Sequence, residues 1–323
     1  MPTRSLALAA SLLVAPAAFA DPSFFAVRDQ NPLVRGAYLP LPPEPGPEAE
    51  GFSLAAGFQW SNTVNIEATP QEALTVDEET FELDLTLAHR LGSWRFRATL
   101  PVQNRSAGLL DGAIDDWHRF WGLPKGERPD RPRYAYAVDY LNGAGVSVDA
   151  PKGTALGDLA LEAGRVLLEP EGSCLALFAG LEAPTGSRSR LTGNGELDAA
   201  LWLEAGVGLG DRFALAARAG ATHQGSGSLV PMRSSVGFGT LALEFRATPA
   251  LSAALQVDAH SAIAQGSVLR FLSAATLLSF GGRYRLASGS IVEAGVVEDI
   301  AVDHSPDVTF HVGWRFPVGA SPR

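Results

Sequence analysis

The chain of 323 residues contains a single cysteine, Cys174, which excludes an intramolecular disulfide framework and a thiolate metal centre. With Leu, Ala and Phe around it, Cys174 reads as a small apolar packing residue. The six histidines fall at no recognised ligand spacing, so neither a metal nor a cofactor is expected. A formal net charge of −10 with no basic cluster excludes a nucleic-acid partner. Beyond the N-terminal segment no apolar run approaches the roughly 18 residues of a transmembrane helix. Aromatic residues are scarce too: 8% of a chain that is 46% hydrophobic and holds 34 glycines. That balance suits many short, half-apolar strands better than one aromatic-rich core.

What is present begins with MPTRSLALAASLLVAPAAFA, residues 1–20. A basic start, an apolar run and small residues at Ala18 and Ala20 have the form of a secretory signal peptide, predicting a mature chain from Asp21. Residues 21–50 are Pro-rich and are expected either to plug the interior of the fold or to lie in the periplasm.

The rest is dominated by a period of two. In LDAALWLEAGVGLG, Leu197, Ala199, Leu201, Leu203 and Val207 share one face, and Asp198, Trp202 and Glu204 take the other. FELDLTLAHR sets Phe81, Leu83, Leu85 and Leu87 against Glu82 and Asp84; WRFRATLPV sets Trp94, Phe96 and Leu100 against Arg95 and Arg97. Alternation of this kind is the signature of strands. Short connections, on Gly92, Gly172, Asp211, Pro249 and Gly289, alternate with longer ones, including Ala68 to Glu78 and 109–154. The breaks delimit about twelve strands, and short turns at one end with long loops at the other are the transmembrane β-barrel pattern. A soluble β-sandwich also alternates, but its polar face meets water. Here the apolar face is almost free of charge, while the other mixes Gly, Ala and Ser with charged residues. The reading is an all-β, antiparallel transmembrane barrel over 51–318, with 109–154 an extracellular loop and 319–323 a short tail, in the outer membrane of a Gram-negative bacterium.

An inside-out barrel places its polar face in the lumen. The expected lining is Arg95, Arg97, Arg218, Arg246, Arg283, Arg285 and Arg315 against Glu82, Asp84, Glu204, Glu244, Asp258 and Glu293. Such residues either line a charged pore or form cross-strand ion pairs that fill a closed interior. Twelve strands fall between barrels filled by side chains and barrels that leave a channel. The final strand, VTFHVGWRFPV, carries His311, Gly313, Phe316 and Val318 in the spacing of the C-terminal signal by which outer-membrane barrels reach their assembly machinery.

Several segments resemble a family of Gram-negative exported proteins described only as a domain of unknown function. They are RDQNPLVRG from Arg28, the central His118, Phe120, Trp121, Gly122, Leu123, Pro124, Gly126 and Arg128, and EDIAVDHSPDVTFHVG from Glu298. The resemblance spans nearly the whole mature chain and implies an outer-membrane barrel without supplying an activity. The central segment is expected to be an ordered loop in which Trp117, Phe120 and Trp121 cluster, with Gly122 and Gly126 as turns. A catalytic role for His118 with Asp115 or Asp116 lacks a neighbouring nucleophile. The expected function is a passive channel for small solutes. A non-conducting barrel filled by ion pairs is the alternative, and a lipid-acting enzyme is disfavoured because no Ser–His pair stands out. Outer-membrane lipid, the assembly machinery and a small solute are the expected partners; no catalytic residue is assigned.

Overall fold

The computed structural model describes residues 23–43, 50–122, 131–170, 172–301 and 303–318, the side chains of His118 and Trp121 excepted. The signal peptide, the tail and the sequence-predicted loop residues Leu123, Pro124, Gly126 and Arg128 lie outside the described residues.

Twelve strands close into a ring. They are β1 (Gly51–Ala68), β2 (Glu72–Leu91), β3 (Trp94–Ser106), β7 (Leu159–Leu168), β8 (Ser173–Ala183), β9 (Asp198–Leu209), β10 (Phe213–His223), β11 (Ser235–Arg246), β12 (Leu251–His260), β13 (Ala275–Arg285), β14 (Ile291–Asp299) and β15 (Val308–Val318). Each pairs antiparallel with its neighbour, and β1 pairs with β15 from Phe52↔Val318 to Asn62↔Val308, so no edge is left open. Three shorter strands, β4 (Ala137–Asn142), β5 (Ser147–Asp149) and β6 (Gly153–Leu156), extend the sheet at one end.

Side-chain parity turns the barrel inside out. Leu85, Leu203, Leu243, Leu255, Phe280 and Val312 point outward and are 40–48% exposed, whereas Glu82, Asp84, Arg97, Glu204, Arg218 and Glu293 are buried. This is the polarity of a transmembrane barrel, whose outer face meets hydrocarbon and whose interior is polar. The short turns, 92–93, 169–172, 210–212, 247–250 and 286–290, all lie at one end.

One expectation is corrected. The connection read as running from Ala68 to Glu78 is only a turn at 69–71: β1 and β2 stay paired up to Ala68↔Ala73 and project beyond the ring. The charges that made Asp77 to Glu79 look like loop are satisfied in place. Asp77 binds Arg131 at 2.6 Å, Glu78 lies 3.7 Å from Arg105, and Glu79 accepts from Trp60 and Asn62. The loop 109–154, expected to be ordered, holds α1 (Asp111–Trp121), β4 and β5. Of the aromatics expected to cluster there, Phe120 is 78% exposed, and the side chain of Trp121 lies outside the described residues. Leu110 and Ile114 anchor α1, packed with Val308, Trp60, Val296 and Phe310.

The ends of the loops meet in a separate apolar core. Leu74 and Val76 of β2, Val138 and Tyr140 of β4, Val148 of β5, and Leu191, Val230, Ile263, Phe271 and Leu272 of the loops bury one another across the long-loop end of the barrel.

Candidate functional site

The interior is occupied by the chain's own N-terminal segment. Phe24, Phe25, Val27, Asn31, Leu33 and Tyr38 are all at most 1% exposed. Their contacts trace a hairpin finger. Ser23 Oγ accepts from Arg283 near the short-turn end, and the Phe25 backbone exchanges two hydrogen bonds, 2.7 and 3.1 Å, with the Gln256 amide. Higher up, Arg28 N–H donates to Gln59, Asp29 meets His260 at 3.0 Å and Ser305 at 2.6 Å, and Asn31 reaches the Phe271 carbonyl. The tip, with Leu33, Val34 and Ala37, joins the apolar core of the loops. The chain then descends: the Tyr38 backbone exchanges two bonds with Gln224, and the Pro40 carbonyl accepts from Arg218. At Glu50 it is back at the short-turn end, where that carboxylate accepts from Gly92 N–H at 3.2 Å.

Burying an extended backbone in a barrel demands that its amides and carbonyls find partners, and inward-facing glutamines supply them. An amide side chain offers both a donor and an acceptor, as one backbone unit requires. Charge is matched as well. Arg28 and Arg35 both pair with Glu82, and Arg28 also pairs with Asp84. Glu82 further accepts from Gln103 at 2.6 Å. Tyr38 Oη lies 3.3 Å from Glu162, against Gly180, where a Cβ would collide with the hydroxyl.

The sequence-predicted lumen residues fall into separate groups around this finger. Arg97 pairs with Glu162 at 2.7 Å and Glu204 at 3.5 Å, and Trp202 Nε1 donates to Glu204 at 2.8 Å. Arg218 donates to Thr240, which in turn donates to Asp258 at 2.6 Å. Arg283 sits between Glu244 at 3.0 Å and Glu293 at 3.1 Å, over the Phe25 ring. Glu82 and Asp84 are engaged by the finger. Arg95 lies near the short-turn end, 3.9 Å from Glu169. Arg246 and Arg315 are half-buried and Arg285 is exposed, all at strand ends of that rim. Of the proposed assembly signal, His311 faces inward, edge-on to Phe25 and 3.4 Å from Glu293, and Gly313 is buried beside it; Phe316 is half-buried and Val318 exposed. A cavity of about 30 Å³ remains between the limbs of the finger, lined by Asp29, Pro40, Arg218, Asp258 and His260, which is room for about one water molecule.

Arg28, Arg35, Tyr38, Gln59, Gln224 and Gln256 escaped the sequence reading. Their signal lay in the N-terminal segment: SFFAVRDQNPLVRGAYLPL is too apolar for an exposed linker, and its two arginines need partners.

In the loops, burial pushes the Asp158 carboxyl above the usual carboxylate range against the pull of backbone donors at Gly186, Asn194 and Thr185. A hydrogen bond from Arg133 to Asp115 raises that guanidinium. The folding also brings together Ser273 and His304, Oγ to Nδ1 2.9 Å. That Nδ1 is also 2.8 Å from the Ala274 carbonyl, which can only accept, so Nδ1 carries the proton and cannot take one from serine. The pair closes a loop turn, with Ser273 Oγ donating to the Arg270 carbonyl.

The family model of DUF3187, described as a protein of unknown function, matches residues 3–318. The chain belongs to this family. No curated protein matches the sequence. Among solved structures, this DUF3187 member is similar to the COG4313 outer membrane channel from Pseudomonas putida F1, at 12% identity and a TM-score of 0.55, over 84% of this chain and 96% of that one. Weaker likenesses are to the NanC porin (7% identity, TM-score 0.46, 83% of this chain and 100% of that one) and the KdgM porin in complex with disordered oligogalacturonate (9%, 0.44, 82% and 98%). At 12% identity the likeness to the COG4313 channel is one of fold alone, that of an outer-membrane β-barrel.

Proposed function

We propose that the protein is an outer-membrane channel for small solutes, closed in this conformation by its own N-terminal finger. The observation that carries the reading is the finger itself. It fills the lumen of a closed twelve-strand barrel, yet it is covalently joined to the wall only through the chain before β1. With the finger withdrawn, Arg97, Arg218 and Arg283 and Glu82, Asp84, Glu162, Glu204 and Glu293 would line the vacated space, a mixed-charge pore. In this reading the short-turn end is periplasmic and the long-loop end extracellular, and the Gly313 and Phe316 pattern of β15 addresses the barrel-assembly machinery.

The test is planar-bilayer recording of the mature protein and of a variant lacking residues 23–43. The expected outcome is sparse, small openings in the first and a larger, steady unitary conductance in the second. A disulfide between Phe25→Cys and Gln256→Cys, in a Cys174→Ala background, covers the case in which the deletion fails to fold. Oxidation should abolish openings and reduction restore them. Silence in the deletion variant and in the reduced variant would leave the second reading, a non-conducting barrel. That reading is favoured by the Arg97–Glu162–Glu204 and Glu244–Arg283–Glu293 groups, which bridge wall strands directly.

A further inference from the structure

Helix α1 does not fold over the mouth of the barrel. It lies against the outside of the wall. Strand register fixes its position: Glu298, Val308, Asn62 and Glu79 form one outward row across β14, β15, β1 and β2, and Val296, Phe310, Trp60 and Phe81 form the row below. The N-terminal end of α1 is held over β2, where Glu79 accepts from the backbone N–H of Leu109 and Leu110, and Asn62 donates to Asp111 at 3.0 Å. Near the other end Trp117 Nε1 donates to Glu298 on β14. Crossing from β2 to β14 spans three strand spacings, about 14 Å, and an 11-residue helix is about 16 Å long. The helix therefore crosses the strands along this row, which the strand tilt inclines to the membrane plane.

Its height is fixed by the same register. From Phe52, beside the short-turn end, to Asn62 the strand rises about 34 Å along its axis, or roughly 26 Å vertically at a tilt of about 40°. The apolar band of a transmembrane barrel is about 25 Å tall. So the start of α1 sits at the upper edge of the band, where outward-facing Glu79 would otherwise meet lipid, and its Trp117 end, over Glu298, sits about 9 Å lower.

The two flanks of α1 differ. On one, Asp115 and Asp111 are bound by Arg133 and by the Tyr134 backbone N–H. That strand of chain passes on the extracellular side, because its Arg131 binds Asp77, above Glu79 on β2. The opposite flank carries Ala113 and Phe120, which fall within about 20° of one another at 100° per residue, and Leu109 stands two residues before the helix begins. All three are exposed, Leu109 and Phe120 at 78% each. This flank faces the apolar band. We infer that α1 is an interfacial collar, inclined from the upper edge of the apolar band into the outer leaflet, with Leu109, Ala113 and Phe120 sunk among the lipid acyl chains.

The occupant is lipid, because the flank continues the lipid-facing surface of Trp60, Phe81 and Phe310 and is directed along it. Amphipathic helices in this position bind through buried apolar area supplemented by charge. Among the described residues the exposed charges on and beside α1 pair, Arg119 with Asp116 and Arg133 with Asp115, both at 2.7 Å. The contact therefore depends little on headgroup charge or salt. The inference rests on the outer-membrane reading above.

Three cysteine variants in a Cys174→Ala background, Phe120→Cys, Asp116→Cys and Leu243→Cys, would each carry an environment-sensitive fluorophore. They would be refolded into phosphatidylcholine vesicles containing lipid with a nitroxide near the glycerol end of its chain or at the chain terminus, and the folded state checked by heat-modifiable mobility. Ala113→Cys replaces Phe120→Cys should the latter misfold. The probe at 120 should be quenched by the shallow nitroxide at least about twofold more than the probe at 116, equally in low and high salt. The probe at 243 should respond to the deep nitroxide. Quenching at 243 without quenching at 120 would overturn the collar and leave the barrel in its membrane. Absence of quenching at 243 would overturn the membrane reading itself. A probe at 120 shielded from lipid and from aqueous quencher alike would mean that protein covers this flank, which also overturns the inference.

Discussion

Glu82 has more partners than any one strand can give it. Arg28 and Arg35 come from the finger and Gln103 from β3, and the carboxylate is fully buried. A charge taken out of water is tolerable only with such partners; removing them from a buried carboxylate costs about 3–5 kcal/mol. Replacing both Arg28 and Arg35 by Ala should therefore dislodge the finger rather than merely loosen it. Amide hydrogen exchange over residues 24–38 should rise by orders of magnitude, and Glu82→Gln with Asp84→Asn in the same chain should restore much of the protection. Unchanged exchange in the double-arginine variant would show that the ion pairs do not hold the finger. At this scale the sequence was legible in one respect. Alternation in β2, β3 and β9 separates inward Glu82, Arg97 and Glu204 from outward Leu neighbours, because a period of two is a local property. Which arginine meets which carboxylate was not legible, since Arg28 and Glu82 are brought together only by threading the finger through a closed ring.

At the scale of elements, what misled the sequence reading was polar sequence inside regular structure. Asp77, Glu78 and Glu79 look like a loop but belong to β2, because partners from Arg105, Arg131 and Asn62 remove the penalty for burying them. Helix α1 had a signal that the cluster of aromatics obscured: Leu110, Ile114, Trp117 and Trp121 recur at intervals of three and four, the period of one helix face. The last strand raises a different question. A Cβ on Gly313 would come within 2.8 Å of the Glu293 side chain, so this glycine is demanded by packing as well as by any recognition of the C-terminal pattern. Gly313→Ala should lower the folded, heat-modifiable fraction in outer membranes. If packing is the cause, Glu293→Ala in the same chain should recover folding, an interaction energy between neighbours. Failure to recover, together with normal refolding of Gly313→Ala in pure lipid, would assign the glycine to recognition by the assembly machinery.

For the whole molecule, the finger is a hairpin whose two limbs leave by the same mouth, so it can slide out as a unit without threading a chain end through the ring. Six residues, 44–49, separate it from Glu50 in the sequence. A short tether holds its ligand at an effective concentration in the millimolar range. Re-entry is thus a first-order event, independent of how much protein the membrane carries, and individual contacts of the finger can be weak while the lumen stays filled. A free peptide of residues 23–43 lacks that advantage. Added to the conducting variant that lacks the segment, it should block only as its concentration approaches the millimolar range, from the periplasmic face alone. Block at micromolar peptide would mean that the finger binds tightly in its own right and that the tether contributes nothing to closure.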